Sequence, residues 1–160
     1  TIRKDAVNRV SACTVEIKES KARLNYLDHM VYLLENKIIP KRVTHNDTKI
    51  DNVLFEKHRI KAIGVIDLDT VMPANVLYDF GDMVRTFTSP ALEDEKNFSK
   101  VKMRLNIFDA LVRGYLSELE GLLTEDEISN LVLGSKIIVY ENYISSSSFR
   151  GVVLKYQITT

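Results

Sequence analysis

The chain has 160 residues, the length of one ordinary domain, and its 22 Lys+Arg balance 22 Asp+Glu, so a polybasic nucleic-acid binder and an acidic disordered tail are both excluded. Hydrophobic residues make up 45%, yet no run approaches the roughly 20 apolar residues of a membrane helix, and no charged-then-apolar leader opens the chain. The lone Cys13 has no partner for an internal disulfide, which points to the cytoplasm, and the absence of Trp with only 6 Gly and 3 Pro argues against a turn-rich sandwich or propeller.

The first 37 residues read as helix. Leu24, Leu27, Val31 and Leu34 recur at steps of three and four and predict one apolar face, as do Val10, Cys13 and Ile17 upstream. Pro40 is the expected stop. The pattern then shifts to short β-branched runs: one opening at Val43, then Val53-Leu54-Phe55, then Ala62-Ile63-Gly64-Val65-Ile66. These read as buried strands, and the polar Lys57-His58-Arg59 between the last two predicts a hairpin. From about Asn75 the chain is helical again. Phe98, Val101, Leu105, Phe108, Val112, Tyr115 and Leu119 form one continuous stripe, with Gly121 as its stop. Thr124-Glu125-Asp126-Glu127 is a capping box, and the helix it opens should turn Ile128, Leu131, Ile138 and Val139 inward. The fold class is α+β: a mostly helical body with a small β-hairpin insert.

The segment that carries chemistry is Thr44-His45-Asn46-Asp47-Thr48-Lys49-Ile50-Asp51-Asn52, a His-x-Asp-x-Lys-x-x-Asn loop between predicted strands. A buried-strand run ending Val65-Ile66-Asp67-Leu68-Asp69 follows it. Phosphoryl transfer from a nucleotide asks for positioning and charge neutralisation more than covalent chemistry. Asp47 supplies a carboxylate for the acceptor hydroxyl. Asn52 and Asp67 supply the hard oxygens that Mg²⁺ prefers, and Lys49 supplies a cation for the phosphoryl group. His-x-Asp-x4-Asn alone arises by chance in such a chain roughly once in a hundred, from average residue frequencies. Lys49 and the strand-terminal Asp67 make the combination far more specific.

These residues, with Thr70-Val71-Met72-Pro73 and Tyr78-Asp79-Phe80-Gly81-Asp82, resemble the aminoglycoside phosphotransferase/choline kinase superfamily, and within it N-acetylhexosamine 1-kinases most. The resemblance is strongest over about Arg42 to Thr86. It implies a protein-kinase-like fold of which residues 1–144 are the C-terminal, catalytic-loop lobe, with a divergent, flexible tail over 145–160. It also implies ATP as co-substrate and Mg²⁺ as cofactor, with a small-molecule alcohol or sugar as the other partner. Asp47 matches the catalytic base, Asn52 and Asp67 the metal ligands, and Lys49 the catalytic-loop lysine of protein kinases, a catalytic and nucleotide-phosphate contact. His45 matches a residue that braces the loop. Two features depart from the pattern. The region before Pro40 reads as helix, with no Gly-rich phosphate loop before the first glycine, Gly64, so the N-terminal nucleotide-binding lobe is expected to be absent from these residues. The serine run at 145–148 comes where similar kinases continue, so the chain has the look of a fragment and is expected to be inactive alone.

Plainer readings stand beside these. Asp47, Asn52 and Asp67 are also turn-forming residue types, and Lys49 is equally a solvated loop lysine. Asp69 is either a further metal or water ligand or a turn residue. Asp79-Phe80-Gly81 is too far past Asn52 to be a metal motif, so Asp79 is expected to cap the next helix or to bond the catalytic-loop backbone. Asp82 and Arg85 are read as surface residues rather than sugar contacts. The rival functions are a non-catalytic binding module that kept the lobe, and a truncated, inactive remnant.

Overall fold

The computed structural model of the chain describes residues 11, 14–59, 61–91, 95 and 97–148. Val10 and Cys13 of the first predicted face lie outside them, as do residues 149–160 of the expected tail. Among the described residues the chain runs α1 (Thr14–Lys21), α2 (Leu24–Glu35), β1 (Arg42–Thr44), β2 (Val53–Phe55), β3 (Ala62–Val65), β4 (Met72–Ala74), α3 (Val76–Thr88), α4 (Leu105–Glu118) and α5 (Glu125–Ser148). The class is α+β with helix dominant. No helix among these residues is long and apolar enough to cross a membrane.

Helix α2 stops before Pro40 is reached. Lys37 adopts a left-handed backbone (φ 55°), the Ile38 amide bonds the Leu33 carbonyl at 2.9 Å, and the Lys37 amide bonds that of Leu34 at 3.1 Å. This double closure ends the helix by itself. The buried face of α2 is Met30 and Leu33, with Tyr26 and Leu27 packed beside them, while Leu24, Val31 and Leu34 of the predicted stripe are exposed. A step of three or four defines a face, and a rotation of one residue chooses a different one.

The strands form two antiparallel pairs. β2 and β3 make the expected hairpin, with Val53 opposite Val65, and β1 pairs with β4, Thr44 opposite Met72. β4, Met72–Ala74, was not among the predicted strands. Apart from Thr44, these strands are not buried, contrary to the reading of their apolar runs. Ile63 is 62% and Val65 54% exposed, and Val43 is 79% exposed. A pair of strands is only marginally protective, because it has no second layer of its own.

The core is the crossing of α3 and α5. Leu77, Phe80 and Val84 recur along α3 and meet Leu131 and Ile137 of α5, with Met30, Leu33 and Ile39 completing the cluster. Leu131 points inward as expected, but Ile128 is 44% exposed, and Ile137 is the fully buried residue. The two helices touch through glycine. A Cβ on Gly81 would lie 2.6 Å from the carbonyl oxygen of Gly134, and a Cβ on Gly134 would collide with the carbonyl oxygen of Leu77. The Phe98–Leu119 stripe is not one helix. A 3-10 turn spans Phe98–Lys100, and α4 starts at Leu105, itself 72% exposed. The break falls where Arg104 docks on the end of α3. Its backbone amide bonds Thr88 O at 3.0 Å, and its guanidinium reaches the carbonyls of Phe87, Thr88 and Ser89. It thereby satisfies orphan carbonyls at a helix C-terminus. From α4, Phe108, Leu111, Val112, Tyr115 and Leu116 pack on the core, and the Phe80 and Tyr115 rings meet at 5.1 Å. Gly121 (φ 73°) lies in the turn beyond α4.

The capping box of α5 forms in both directions: Thr124 N donates to Glu127 Oε2 at 2.8 Å, and Glu127 N to Thr124 Oγ1 at 3.1 Å. Glu127 also takes a two-pronged bond from Arg42 of β1, at 2.6 and 2.7 Å. The Glu127 side chain is fully buried, which pushes its carboxyl up, but the Arg42 and Thr124 bonds outweigh that and hold it below the ordinary range. The serine run 145–148 completes α5 rather than leaving it.

Candidate active site

β1 delivers the chain into the loop 45–49, and α3 fastens it there. Asp79, in the first turn of α3, accepts the His45 backbone N–H at Oδ2 (2.8 Å) and the Asn46 backbone N–H at Oδ1 (2.7 Å). A carboxylate at a helix N-terminus is favourably placed in the helix dipole. Thr48 Oγ1 donates to the Asp79 carbonyl at 2.7 Å, so side chain and backbone of one residue hold both limbs of the loop. Asn46 has a left-handed backbone (φ 62°), which Asn tolerates better than most residues. Its amide nitrogen bonds the carbonyls of Thr70 at 2.9 Å and Thr44 at 3.3 Å. Thr70 Oγ1 donates to the His45 carbonyl at 2.6 Å. His45 Nε2 lies 3.0 Å from the Ile66 carbonyl, which only accepts, so Nε2 carries the proton, and the buried Nδ1 has no partner. Asn46, Thr48 and Thr70 were not singled out in the sequence; their Asn and Thr side chains gave only the weak signal of turn chemistry.

The loop presents Asp47 with two companions. Lys49 Nζ donates to Asp47 Oδ2 at 2.8 Å, and Asn52 Nδ2 donates to the same oxygen at 2.9 Å and to the Asp47 carbonyl at 2.8 Å. Lys49 first, with Asn52 adding to it against partial burial, holds the Asp47 carboxyl below the usual Asp range. The group is therefore a carboxylate at neutral pH. Asp47, Lys49 and Asn52 are thus brought together, while Asp47 remains partly open to solvent.

Asn52 closes a 3-10 turn, Ile50–Asn52, just before β2, and is buried. Its carbonyl accepts the Ile66 amide at 2.9 Å, which extends the hairpin register by one pair, and Asp67 is the next residue beyond it. Asp67 has a left-handed backbone (φ 62°, ψ 57°) and is exposed just past β3. That conformation is uncommon outside Gly, Asn and Asp, and it breaks the side-to-side alternation of the strand. Asn52 Nδ2 spends its donor capacity on Asp47, so the side-chain oxygen is the atom that Asn52 could offer to a cation. One amide oxygen and one carboxylate suit Mg²⁺, which keeps several waters and shares phosphate oxygens. Among the described residues no three His, Cys, Asp or Glu side chains cluster as a closed zinc-type site requires.

A cleft of about 340 Å³ opens beside Asp47. Asn46 and Asp47 form one wall. Tyr78, Asp82 and Arg85 of α3 and Ile138, Glu141 and Asn142 of α5 form the other. Arg85 pairs with Asp82 Oδ1 at 2.7 Å, and the Tyr78 hydroxyl donates to Glu141 Oε1 at 3.3 Å. Burial, then Glu141, pushes the Tyr78 phenol up to about 12, and burial raises the Glu141 carboxyl. Asp82 is 8% exposed, and the structure corrects its reading, with Arg85, as a surface residue.

Phosphate transfer needs a carboxylate at the edge of a polar cleft with a cation and hard oxygens close by, and this loop assembles the first two directly. Residues 5–118 match the Phosphotransferase enzyme family, a span that takes in the loop, the hairpin, α3 and α4. Covering more than half of the chain, this match makes it a member of the phosphotransferase family.

Proposed function

We propose that residues 1–144 are the catalytic-loop lobe of an ATP-dependent phosphotransferase. It passes the γ-phosphate of ATP to a hydroxyl of a small molecule, a sugar of the N-acetylhexosamine type. The observation that carries this reading is Asp47, held by Lys49 and Asn52 at the mouth of a polar cleft in a member of this family. The Lys49 and Asn52 bonds both fall on Oδ2, and Oδ1 is the oxygen that orients the acceptor hydroxyl and takes its proton as the new O–P bond forms and the bond from the γ-phosphorus to the bridging oxygen breaks, releasing ADP. Lys49, close to the same point, offsets the charge that accumulates on the transferring phosphoryl group. Asn52 and Asp67 would hold Mg²⁺, which supplies charge neutralisation for the nucleotide phosphates. A protein-kinase-like fold follows from the same family reading.

The test separates nucleotide binding from chemistry. In a two-lobed protein that joins this lobe to a nucleotide-binding lobe, Mg²⁺-dependent ATP binding, followed by calorimetry, should be lost in Asp67→Ala and nearly unchanged in Asp47→Asn. Transfer of labelled γ-phosphate to a hexosamine panel should fall by roughly 10²–10⁴ in Asp47→Asn, the size of a general-base contribution. An Asp47→Asn protein that transfers phosphate at the full rate removes Asp47 from its role.

A further inference from the structure

We infer that Arg42 is a positioning residue for phosphate transfer: clamped to α5 through Glu127, it fixes the distance between the catalytic loop and the α5 wall of the cleft. The inference rests on the phosphotransferase reading, because it takes Asp47 as the group whose placement sets the rate. The cleft is walled by three elements: the loop supplies Asp47, α3 supplies Tyr78 and Asp82, and α5 supplies Ile138 and Glu141. Asp79 ties the loop to α3. The loop's bonds to Ile66 and Thr70, and that of Thr44 to the Met72 carbonyl, stay within the β insert and move with it. A segment held to one helix at one residue still swings about that point, so these bonds leave the span from Asp47 to α5 unset.

Arg42 supplies the second fixed point. It stands in β1, just before the loop, and its guanidinium grips Glu127 with Nε on Oε1 at 2.6 Å and Nη2 on Oε2 at 2.7 Å. Nη2 also reaches the Leu122 carbonyl at 2.6 Å. Two parallel bonds from a planar fork set direction as well as distance. The carboxylate end is itself held, because the Glu127 side chain is fully buried and the Thr124 amide bonds Oε2 at 2.8 Å. Glu127 lies about three helical turns before Ile138, so α5 carries the fixed point to the cleft. The two tethers share a support. Tyr115 of α4 packs at 5.1 Å on Phe80, the neighbour of Asp79, and burial first, then the Asp79 and Glu127 carboxylates, push its phenol up to about 12. Its hydroxyl is thus within electrostatic reach of both carboxylates that hold the loop. Stability alone does not call for the fork, since a buried ion pair is often no more stabilising than an apolar pair of the same volume. What the fork adds is orientation, and a misplacement of about 1 Å at a reacting group costs up to roughly 10²-fold in rate.

Arg42→Met combined with Glu127→Met removes the fork without leaving a charge buried, so this double variant should stay folded. In the two-lobed protein its kcat should fall at least tenfold while KM for Mg²⁺-ATP stays within twofold, a split that a loss of folded protein does not produce. Arg42→Lys keeps the charge but meets Glu127 at a single point. It should lower kcat in the same way, and it carries the test if the double variant unfolds. A second measurement needs no activity. In the full chain with Cys13→Ser, nitroxides on Ile50→Cys, beside the loop, and Val132→Cys of α5, both exposed positions, report the loop-to-α5 distance by electron paramagnetic resonance. With Arg42 and Glu127 intact the distance distribution should be narrow, and in the double variant it should broaden. Full kcat in a folded variant, or a distribution that the variants leave unchanged, overturns the inference. A two-lobed parent that transfers no phosphate sinks the phosphotransferase reading and the rate claim with it, and the distance distribution still judges the clamp.

Discussion

Asp47 owes its charge state to a neighbour two residues away. The Lys49 ammonium, at 2.8 Å, is the largest influence holding its carboxyl below the ordinary value. A depressed carboxyl contributes stability that is present above the unfolded Asp value and is lost as pH falls through the folded one. Lys49→Met removes that influence, so Asp47 should titrate at higher pH, and the acid limb of any phosphate-transfer profile should move up with it. Carbon-detected NMR titration of the Asp47 carboxyl reads the shift, and an unmoved titration would dissociate the pair. The residues of this loop were legible because the chemistry demands particular side chains at particular spacings. Asp82 was not, since a lone acid on an amphipathic helix reads the same whether it faces water or a cleft.

At the scale of elements, the α3–α5 crossing depends on what is missing from two side chains. Gly134→Ala sets a methyl against the Leu77 carbonyl, which is backbone and has no rotamer to escape into. Overpacking of this kind costs typically 1–3 kcal/mol. Denaturant unfolding should show at least about 2 kcal/mol lost, against a gain of about 0.5–1 kcal/mol for Gly114→Ala inside α4, where the space is open. The hairpin, α3 and the start of α5 were readable from the sequence, because turn residues, amphipathic period and capping box are local signals. The end of α2, the break before α4 and the exposure of β2 and β3 were not. The first depends on a left-handed Lys37, the second on Arg104 finding carbonyls of another helix, and the third on which layers cover the strands. Glycine contact between distant helices likewise leaves no trace in either segment read alone.

Across the whole molecule, the Arg42–Glu127 pair joins the strand that leads into the loop to the first turn of the longest helix. Arg42→Ala would leave a fully buried carboxylate uncompensated. Breaking a buried pair costs roughly 3–5 kcal/mol, and the 31% exposure of Arg42 puts the expectation near the lower figure, about 3 kcal/mol by urea unfolding. Because the Glu127 carboxyl is held below its ordinary value, its contribution is complete above the unfolded Glu range and fades as pH falls through the folded value. The wild-type protein should lose stability on acidification in that window, and Glu127→Gln should flatten the loss. The way Asp79 grips the loop has a consequence in time as well as space. Loop amides ordinarily trade hydrogen for deuterium quickly, because a brief local fluctuation exposes them. The amides of His45 and Asn46 are instead owned by a helix. They should exchange late, on the schedule of α3, and hydrogen-exchange mass spectrometry should find a slow pair set in an otherwise fast irregular segment.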